Sequence, residues 1–114
     1  MVNPHTSALV LDAEMRIQHL TLPARRLLEY NPAQAPAHSF LHHVHDKNLF
    51  QVMRDVADMV CHGKAKASWM LRLRTGRGRW RWYKASAHNH LPHSAAIVVD
   101  LRDLLPYDEL STIA

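Results

Sequence analysis

The 114-residue sequence lacks several features that would place it in a special structural class. A single cysteine, Cys61, cannot form an internal disulfide. No apolar run approaches the roughly 20 residues that a helix needs to cross a bilayer. The N-terminus has no basic region followed by an apolar one, as a secretory signal would have. We therefore expect a cytoplasmic protein without a membrane span.

Motifs that carry catalysis are also missing from the sequence. There is no Gly-rich phosphate loop, no Gly-x-Ser-x-Gly turn and no pair of carboxylates in an apolar setting. Asp55 and Asp58 fall on the side of a predicted helix away from its apolar stripe, where solvated acids are expected. We therefore predict that the chain has no catalytic residues and is not an enzyme.

Acidic residues are absent from one long stretch of the chain. Between Lys64 and Lys84 there are eight Lys and Arg residues and no Asp or Glu, although the whole chain has a formal charge of only +4. Such a stretch can bind nucleic acid or an acidic partner. Alternating arginines are also typical of the solvated face of a half-buried strand, and we favour this second interpretation.

Residues 64–83 of the same stretch predict two strands joined by a tight turn at Gly76 and Arg77, with Thr75 opposite Gly78. In this register the apolar cross-strand pairs are Leu73 with Trp80 and Leu71 with Trp82. The basic pairs on the other face are Arg74 with Arg79 and Arg72 with Arg81. One face is then apolar and the other basic, and a slip of one residue would destroy this sorting.

The rest of the chain predicts an α+β fold, a five-stranded antiparallel sheet with helices packed on one face. Further strands are predicted at residues 8–12, 17–21 and 95–101, and helices at residues 22–30, 39–44 and 46–62. The longest helix has His45 or Asp46 as N-cap and ends at Gly63, a residue suited to the left-handed position after a helix. We predict one domain over residues 8–104, after an N-terminal segment (1–7) and before a C-terminal tail or linker (105–114).

The ordered segments resemble a PAS (Per-Arnt-Sim) domain over nearly the whole chain. The matching pieces are Val10-Leu11-Asp12 with Arg16-Ile17, Leu27-Leu28-Glu29-Tyr30-Asn31-Pro32, Ser39-Phe40-Leu41 with Val44-His45, Leu71-Arg72-Leu73-Arg74 with Gly78 and Arg81-Trp82, and the final strand from Ile97 to Asp103. Met15 and Arg77 depart from the family pattern at turns. The resemblance implies a sensory or regulatory module of a signalling protein or transcription regulator, which binds a small ligand or dimerises to control an output domain.

The resemblance also implies where a small ligand would bind, between the helices and the inner sheet face. The predicted lining is Phe40, Leu41, Val44, Val52, Met53, Val56, Leu71, Leu73, Trp80 and Trp82. Thioether and aromatic walls suit a small apolar or aromatic ligand. The same side chains could equally fill the core completely, and Trp80 and Trp82 would decide between the two.

The cofactor, if any, stays unknown at this point. Flavin adduct chemistry needs a reactive Cys in the helical middle, and Cys61 lies instead at the end of the long helix. Haem could use His42, His43 or His45 as axial ligand, although solvated histidines explain them better. His88, His90 and His93 lack an accompanying Cys or carboxylate at metal-site spacing, so we predict no metal site.

Two alternatives to a ligand sensor stay open. The chain could be a ligand-free protein interaction module, with a homodimer or an output domain as partner. Less in keeping with the sequence, its basic sheet face could bind nucleic acid, although we expect DNA contact only through an output domain outside this sequence. The predicted partner surface is Arg72, Arg74, Arg79 and Arg81.

Overall fold

A computed structural model describes residues 3–34, 36, 38–91 and 96–104 of the chain. The strands are β1 (Ala8–Leu11), β2 (Ile17–Leu20), β3 (Lys66–Arg74), β4 (Trp80–Asn89) and β5 (Ile97–Asp103), and the helices are α1 (Leu22–Leu27), a 3-10 turn (Phe40–His43) and α2 (Asp46–His62). The five strands form one sheet in the order β2-β1-β5-β4-β3, and every neighbouring pair is antiparallel. This confirms the predicted fold class. Within the described ranges, no helix is long and apolar enough to cross a membrane.

Both ends of α2 follow from local signals in the sequence. The His45 ring nitrogen Nδ1 accepts a hydrogen bond from the Lys47 backbone N–H at 3.1 Å and so caps the first turn. Gly63 ends the helix in the left-handed conformation, with φ 69°. The predicted bounds of this helix are confirmed.

Helix α1 ends earlier than predicted, at Leu27 rather than Tyr30. The chain turns at Glu29, which has a positive φ of 64°. The Tyr30 N–H then donates to the Arg25 carbonyl at 2.9 Å, a bond that closes the C-terminus of the helix. The apolar stripe of the sequence continues past this point, so it does not reveal where the helix stops.

The β3–β4 hairpin is shifted by one residue from the predicted register, which was wrong. Arg74 pairs with Trp80 and Arg72 pairs with Trp82. The loop contains three residues rather than two, because the Thr75 N–H donates to the Arg79 carbonyl at 2.8 Å and Gly78 adopts φ 80°. Since side chains alternate along a strand, this extra residue moves every β4 side chain to the opposite face.

The tip of this hairpin is attached to the end of α1. The Gly76 N–H donates to the Leu28 carbonyl at 2.8 Å, and the Gln34 side-chain amide donates to the Gly76 carbonyl at 2.9 Å. A Cβ atom on Gly76 would lie 2.5 Å from the Glu29 carbonyl oxygen. Glycine is therefore required here by the close approach of two backbones.

Candidate functional site: the interior and the outer sheet face

The inner face of the sheet carries the core, and large rings fill it. The buried tryptophan is Trp69 on β3, which was not among the predicted pocket residues, and it is 1% exposed. Its indole Nε1 donates to the Asp55 carboxylate at 2.7 Å. Tyr83 on β4 is fully buried, and its hydroxyl donates to the Leu27 carbonyl at 2.8 Å. These two rings take the place that the predicted register assigned to Trp80 and Trp82.

Asp55 is buried, which corrects the prediction of a solvated acid. It follows Val52 by three residues and precedes Met59 by four, so it lies on the buried stripe of α2. Its carboxylate accepts hydrogen bonds from the Lys64 Nζ at 2.8 Å and from the Trp69 indole. The bond from Lys64 lowers the pKa of Asp55, against the effect of burial. The side chain thus joins α2 to the start of β3.

Most of the predicted pocket lining is brought together on the inner side of the sheet. The buried members are Phe40, Val44, Val52, Val56, Leu71 and Leu73, and Leu41 is partly buried against them. Met53, Trp80 and Trp82 are instead 50%, 45% and 39% exposed. Met53 lies off the buried stripe of α2, and the two tryptophans follow the shifted hairpin register. The prediction that these three face the interior was therefore wrong.

A small cavity remains between α1, the 3-10 turn and strands β1 and β2. Its volume is about 10 Å³, which is at the lower limit for a single water molecule. Of the predicted lining, only Phe40 and Leu73 border it. Its full lining is Leu9, Ile17, Leu20, Leu28, Tyr30, Pro36, Phe40, His43 and Leu73. Small-molecule pockets are typically about 300 Å³ or more, so this space is far smaller than a ligand needs.

The three histidines proposed as haem ligands point in different directions. His43 borders the small cavity, and its Nδ1 lies 3.1 Å from the Tyr30 hydroxyl, whose pKa is raised by burial. His42 is exposed, and His45 caps α2 with its ring centroid 4.8 Å from that of Trp80. A macrocycle does not fit the space beside His43.

The histidines and acids of the described residues do not form a metal-binding cluster. Within the part of the chain that the structure describes, no group of three or more His, Cys, Asp or Glu side chains could hold an ion. Of the loop histidines considered from the sequence, His93 lies outside the described residues.

Two of the four arginines of the predicted partner surface form ion pairs with acidic side chains of the same domain. Arg79 donates to the Glu29 carboxylate through Nε at 2.9 Å, and Arg81 donates to the same carboxylate at 3.2 Å and to that of Asp103. The Arg81 side chain is only 14% exposed, since it follows the shifted register onto the inner face. The bond from Arg79 lowers the pKa of Glu29 to about 2. Arg79 and Arg81 therefore do not belong to an outward basic surface, which corrects the prediction.

The outer face of the sheet now combines tryptophans with basic residues. Three adjacent cross-strand rows carry it: Arg74 beside Trp80, Arg72 beside Trp82, and Met70 beside Lys84 beside Arg102. We call these seven residues the outer patch. The Arg72 guanidinium carbon lies 4.6 Å from the centroid of the Trp82 ring, a cation–π contact. Arg72 and Arg74 were predicted on this face from the sequence, and Met70 follows from alternation along β3 but was not named. Lys84 joins them only in the observed register, and its pairing with Arg102 was not predicted.

The edge of the sheet next to the outer patch is closed by the segment that enters α2. The His45 N–H donates to the Arg72 carbonyl at 3.0 Å, and the Arg72 N–H donates to the Asn48 side-chain oxygen at 3.0 Å. Val44 also forms a bridge with Leu73. This stretch of β3 therefore offers its face, and not its backbone edge, to a partner.

Comparison with known proteins finds a matching domain family. The family model described as "PAS fold" matches residues 23–98. No curated protein sequence matches the chain. Many solved structures share its fold at low sequence identity.

Three of these structures illustrate the likeness. The PAS-B domain of Drosophila melanogaster Cycle, with bound ethylene glycol, has a TM-score of 0.70 and 12% identity over 84% of this chain and 97% of that chain. The PAS domain of an HTR-like protein from Haloarcula marismortui has a TM-score of 0.68 and 13% identity over 89% and 83%. The PAS domain of the Cronobacter turicensis quorum-sensing receptor RpfR, in complex with BDSF, has a TM-score of 0.68 and 10% identity over 91% and 98%.

Proposed function

The chain belongs to the PAS fold family, and we propose that it is a regulatory module of a signalling protein that works through macromolecular contacts of its outer patch. The observation that carries this proposal is the contrast between interior and surface. Rings of Phe40, Trp69 and Tyr83 fill the interior, whereas Trp80 and Trp82 stay 45% and 39% exposed. Contiguous exposed apolar side chains on a soluble domain mark interaction sites. In this role the module has no catalytic activity of its own.

The charge of the outer patch indicates the kind of partner. Its basic members are Arg72, Arg74, Lys84 and Arg102, and the patch contains no acid. Pairing this face with a second copy of itself would oppose like charges, which is unfavourable. We therefore propose an acidic partner on this face. A homodimer, as expected from the resemblance, would have to form elsewhere.

A small-ligand sensor is the second candidate, and the cavity beside His43 is where a ligand would enter. Its walls are apolar, with the Tyr30 hydroxyl and the His43 ring as a polar pair. The neighbours solved with ethylene glycol and with BDSF bind small molecules in the same fold. For this chain a ligand would have to widen a cavity of about 10 Å³, which requires displacing packed side chains. Such displacement is costly in a close-packed interior.

Two measurements on the purified chain test the proposal. Native mass spectrometry is expected to show the polypeptide mass alone. Fluorescence anisotropy with a labelled polyglutamate peptide at about 50 mM salt is expected to show binding that weakens in Lys84→Gln and Arg102→Gln. The control is Arg54→Gln, which removes one charge from an exposed position of α2, away from the outer patch.

Two outcomes would count against the proposal. A co-purifying small molecule, together with a higher melting temperature when it is added back, would favour the ligand sensor. Equal loss of polyglutamate binding in Arg54→Gln and in Lys84→Gln would show that the outer patch is not the contact surface.

A further inference from the structure

We infer that the outer patch binds single-stranded nucleic acid, stacking bases on Trp80 and Trp82 and holding phosphates with its four basic side chains. This inference rests on the proposed role of the outer patch and names the chemistry of the partner. It arises from the hairpin register, because only the observed register puts the tryptophans and the basic residues on the same face.

Three of the four basic side chains of the patch are free to bind an anion. Arg74, Lys84 and Arg102 form no ion pair with a described residue. Lys84 and Arg102 lie directly opposite each other on β4 and β5. Like charges in this arrangement repel and destabilise a sheet unless an anion lies between or above them. A phosphate group bound above the pair would relieve this repulsion.

The nearest acid on the same face is Asp100. Asp100 lies next to the patch on β5, and its carboxylate is 3.5 Å from the His88 Nε2. Its single negative charge is outnumbered by the four basic side chains of the patch, so the net potential of this face stays positive. Such a field attracts a polyanion and makes its binding dependent on salt.

The two tryptophans supply the stacking surface. They occupy alternate positions of β4 and so lie on one face about 7 Å apart along the strand. Trp82 also borders the flat guanidinium of Arg72, and bases stack on guanidinium planes as well as on aromatic rings. Aromatic rings beside basic side chains on an open sheet face are the usual arrangement for sequence-tolerant single-strand binding.

A single strand fits this surface better than a duplex or an acidic protein segment. A duplex keeps the faces of its bases stacked internally, so it cannot use the tryptophans. An acidic peptide pairs with the cations but brings few flat rings. Every nucleotide of a single strand carries a phosphate and a flat base, which matches the mixture of basic and aromatic side chains in the patch.

A groove gives the strand room to continue beyond the tryptophans. It has a volume of about 360 Å³ and starts at Lys84 and Arg102. Its other walls are Thr6, Ser86, His88, Asp100 and Leu101. The polar groups among these can hydrogen-bond to sugar hydroxyls and base edges, whereas the Asp100 carboxylate would repel a phosphate placed directly on it.

The test uses the full chain and labelled oligonucleotides of about 12 nucleotides. Single-stranded RNA, single-stranded DNA and a DNA duplex are compared by fluorescence anisotropy, with polyglutamate as an acidic control. We expect both single strands to bind more tightly than the duplex and the polyglutamate. The logarithm of the binding constant should fall with the logarithm of salt concentration by about 0.7 for each phosphate contacted. The relative affinity for RNA and DNA shows whether the sugar hydroxyl contributes.

Variants separate stacking from charge. Trp82→Thr and Trp80→Thr keep residues that favour strands, and each is expected to weaken single-strand binding about 5- to 100-fold. Lys84→Gln should reduce the salt slope by about 0.7, and Arg54→Gln should leave binding unchanged. Circular dichroism checks that each variant is folded. Bound single strand should also quench the emission of the exposed tryptophans, and less so in Trp82→Thr.

Three results would overturn the inference. The first is no binding of either single strand at about 50 mM salt. The second is unchanged affinity in folded Trp80→Thr and Trp82→Thr. The third is polyglutamate binding as tightly as the single strands, which would point to an acidic protein partner. In that third case the proposed role of the outer patch survives, whereas loss of all binding removes both.

Discussion

Glu29 combines an unfavourable backbone conformation with favourable side-chain contacts. Its φ of 64° is in the left-handed region, where a residue with a Cβ costs about 1–2 kcal/mol relative to glycine. Its carboxylate accepts hydrogen bonds from Arg79 and Arg81. The side chain is only 9% exposed. The ion pairs offset the conformational cost, so an acid occupies a position at which helices usually end with glycine.

This balance predicts an unusual order of stability for two variants. Glu29→Ala loses the ion pairs and keeps the backbone cost, whereas Glu29→Gly loses the ion pairs and relieves that cost. We expect Glu29→Ala to be the less stable of the two by about 1 kcal/mol. Urea denaturation at pH 7 measures the difference. If the alanine variant proved as stable as the glycine variant, the backbone at this residue would not be strained.

Asp55 shows where residue-level reasoning from sequence fails. Its spacing from Val52 and Met59 is that of a buried position, which periodicity alone could have indicated. Its charge argued for solvent instead. The partners that make burial possible, Lys64 and Trp69, lie beyond the end of the helix and on β3. An acid can be assigned to a core only when such partners are known.

At the scale of single elements, α2 and the β3–β4 hairpin differ in how far sequence determines them. The bounds of α2 depend on its own residues, including the caps at His45 and Gly63. The hairpin alternates Arg and Trp, and this pattern fits two registers that differ by one residue. The choice between them depends on the loop, where Gly78 takes a positive φ. A two-residue and a three-residue loop are both common, so the sequence allows either.

The hairpin loop also predicts different costs for its two glycines. Gly76→Ala places a Cβ 2.5 Å from the Glu29 carbonyl oxygen and 2.7 Å from the Tyr30 ring. We expect it to cost about 2–3 kcal/mol of unfolding free energy, because two backbones must move apart. Gly78→Ala meets no atom closer than 3.9 Å and should cost about 1 kcal/mol through its positive φ alone.

Thermal and urea denaturation of the two variants provide the comparison. Gly78→Ala is the matched control, since it lies in the same loop and changes the same atom. A Gly76→Ala variant as stable as Gly78→Ala would mean that the hairpin tip is not held against the end of α1.

For the whole molecule, the folded state depends on ionised acids. The pKa of Glu29 is lowered to about 2 by hydrogen bonding from Arg79, and the pKa of Asp55 is lowered by hydrogen bonding from Lys64. The unfolded chain therefore binds more protons than the folded chain in mild acid. The contribution of these groups is complete above the ordinary carboxyl pKa and is lost as pH falls toward the folded-state values.

The melting temperature should accordingly fall as pH is lowered from about 5 to about 3. Glu29→Gln should lower the stability at pH 7 by about 1 kcal/mol, a modest value because Arg79 is half exposed and solvent screens the pair. It should also make the decline in acid shallower. Circular dichroism melts at constant ionic strength measure both curves. Parallel curves for the two proteins would exclude Glu29 as a source of the acid sensitivity.

The composition of the candidate site depends on the register of a single hairpin, β3–β4. Of the apolar residues on α2 and β3 that the sequence assigned to the interior, only Met53 is exposed, and the others, for example Val52 and Leu71, are buried. The register error exchanged Trp82 with Arg81 and so placed the aromatic surface inside and a committed arginine outside. The proposed function therefore depends on the strand register, which local sequence patterns do not determine.

The three-residue loop between β3 and β4 has a consequence for how this domain can change over evolutionary time. A substitution that keeps the length and conformation of the loop leaves both faces of β4 in place. Insertion or deletion of one residue there would exchange the two faces of β4 at once, because side chains alternate along the strand. Trp80 and Trp82 would turn inward, and Tyr83 would turn outward. We therefore expect lineages that keep the outer patch to keep the length of this loop, even where its residues have diverged.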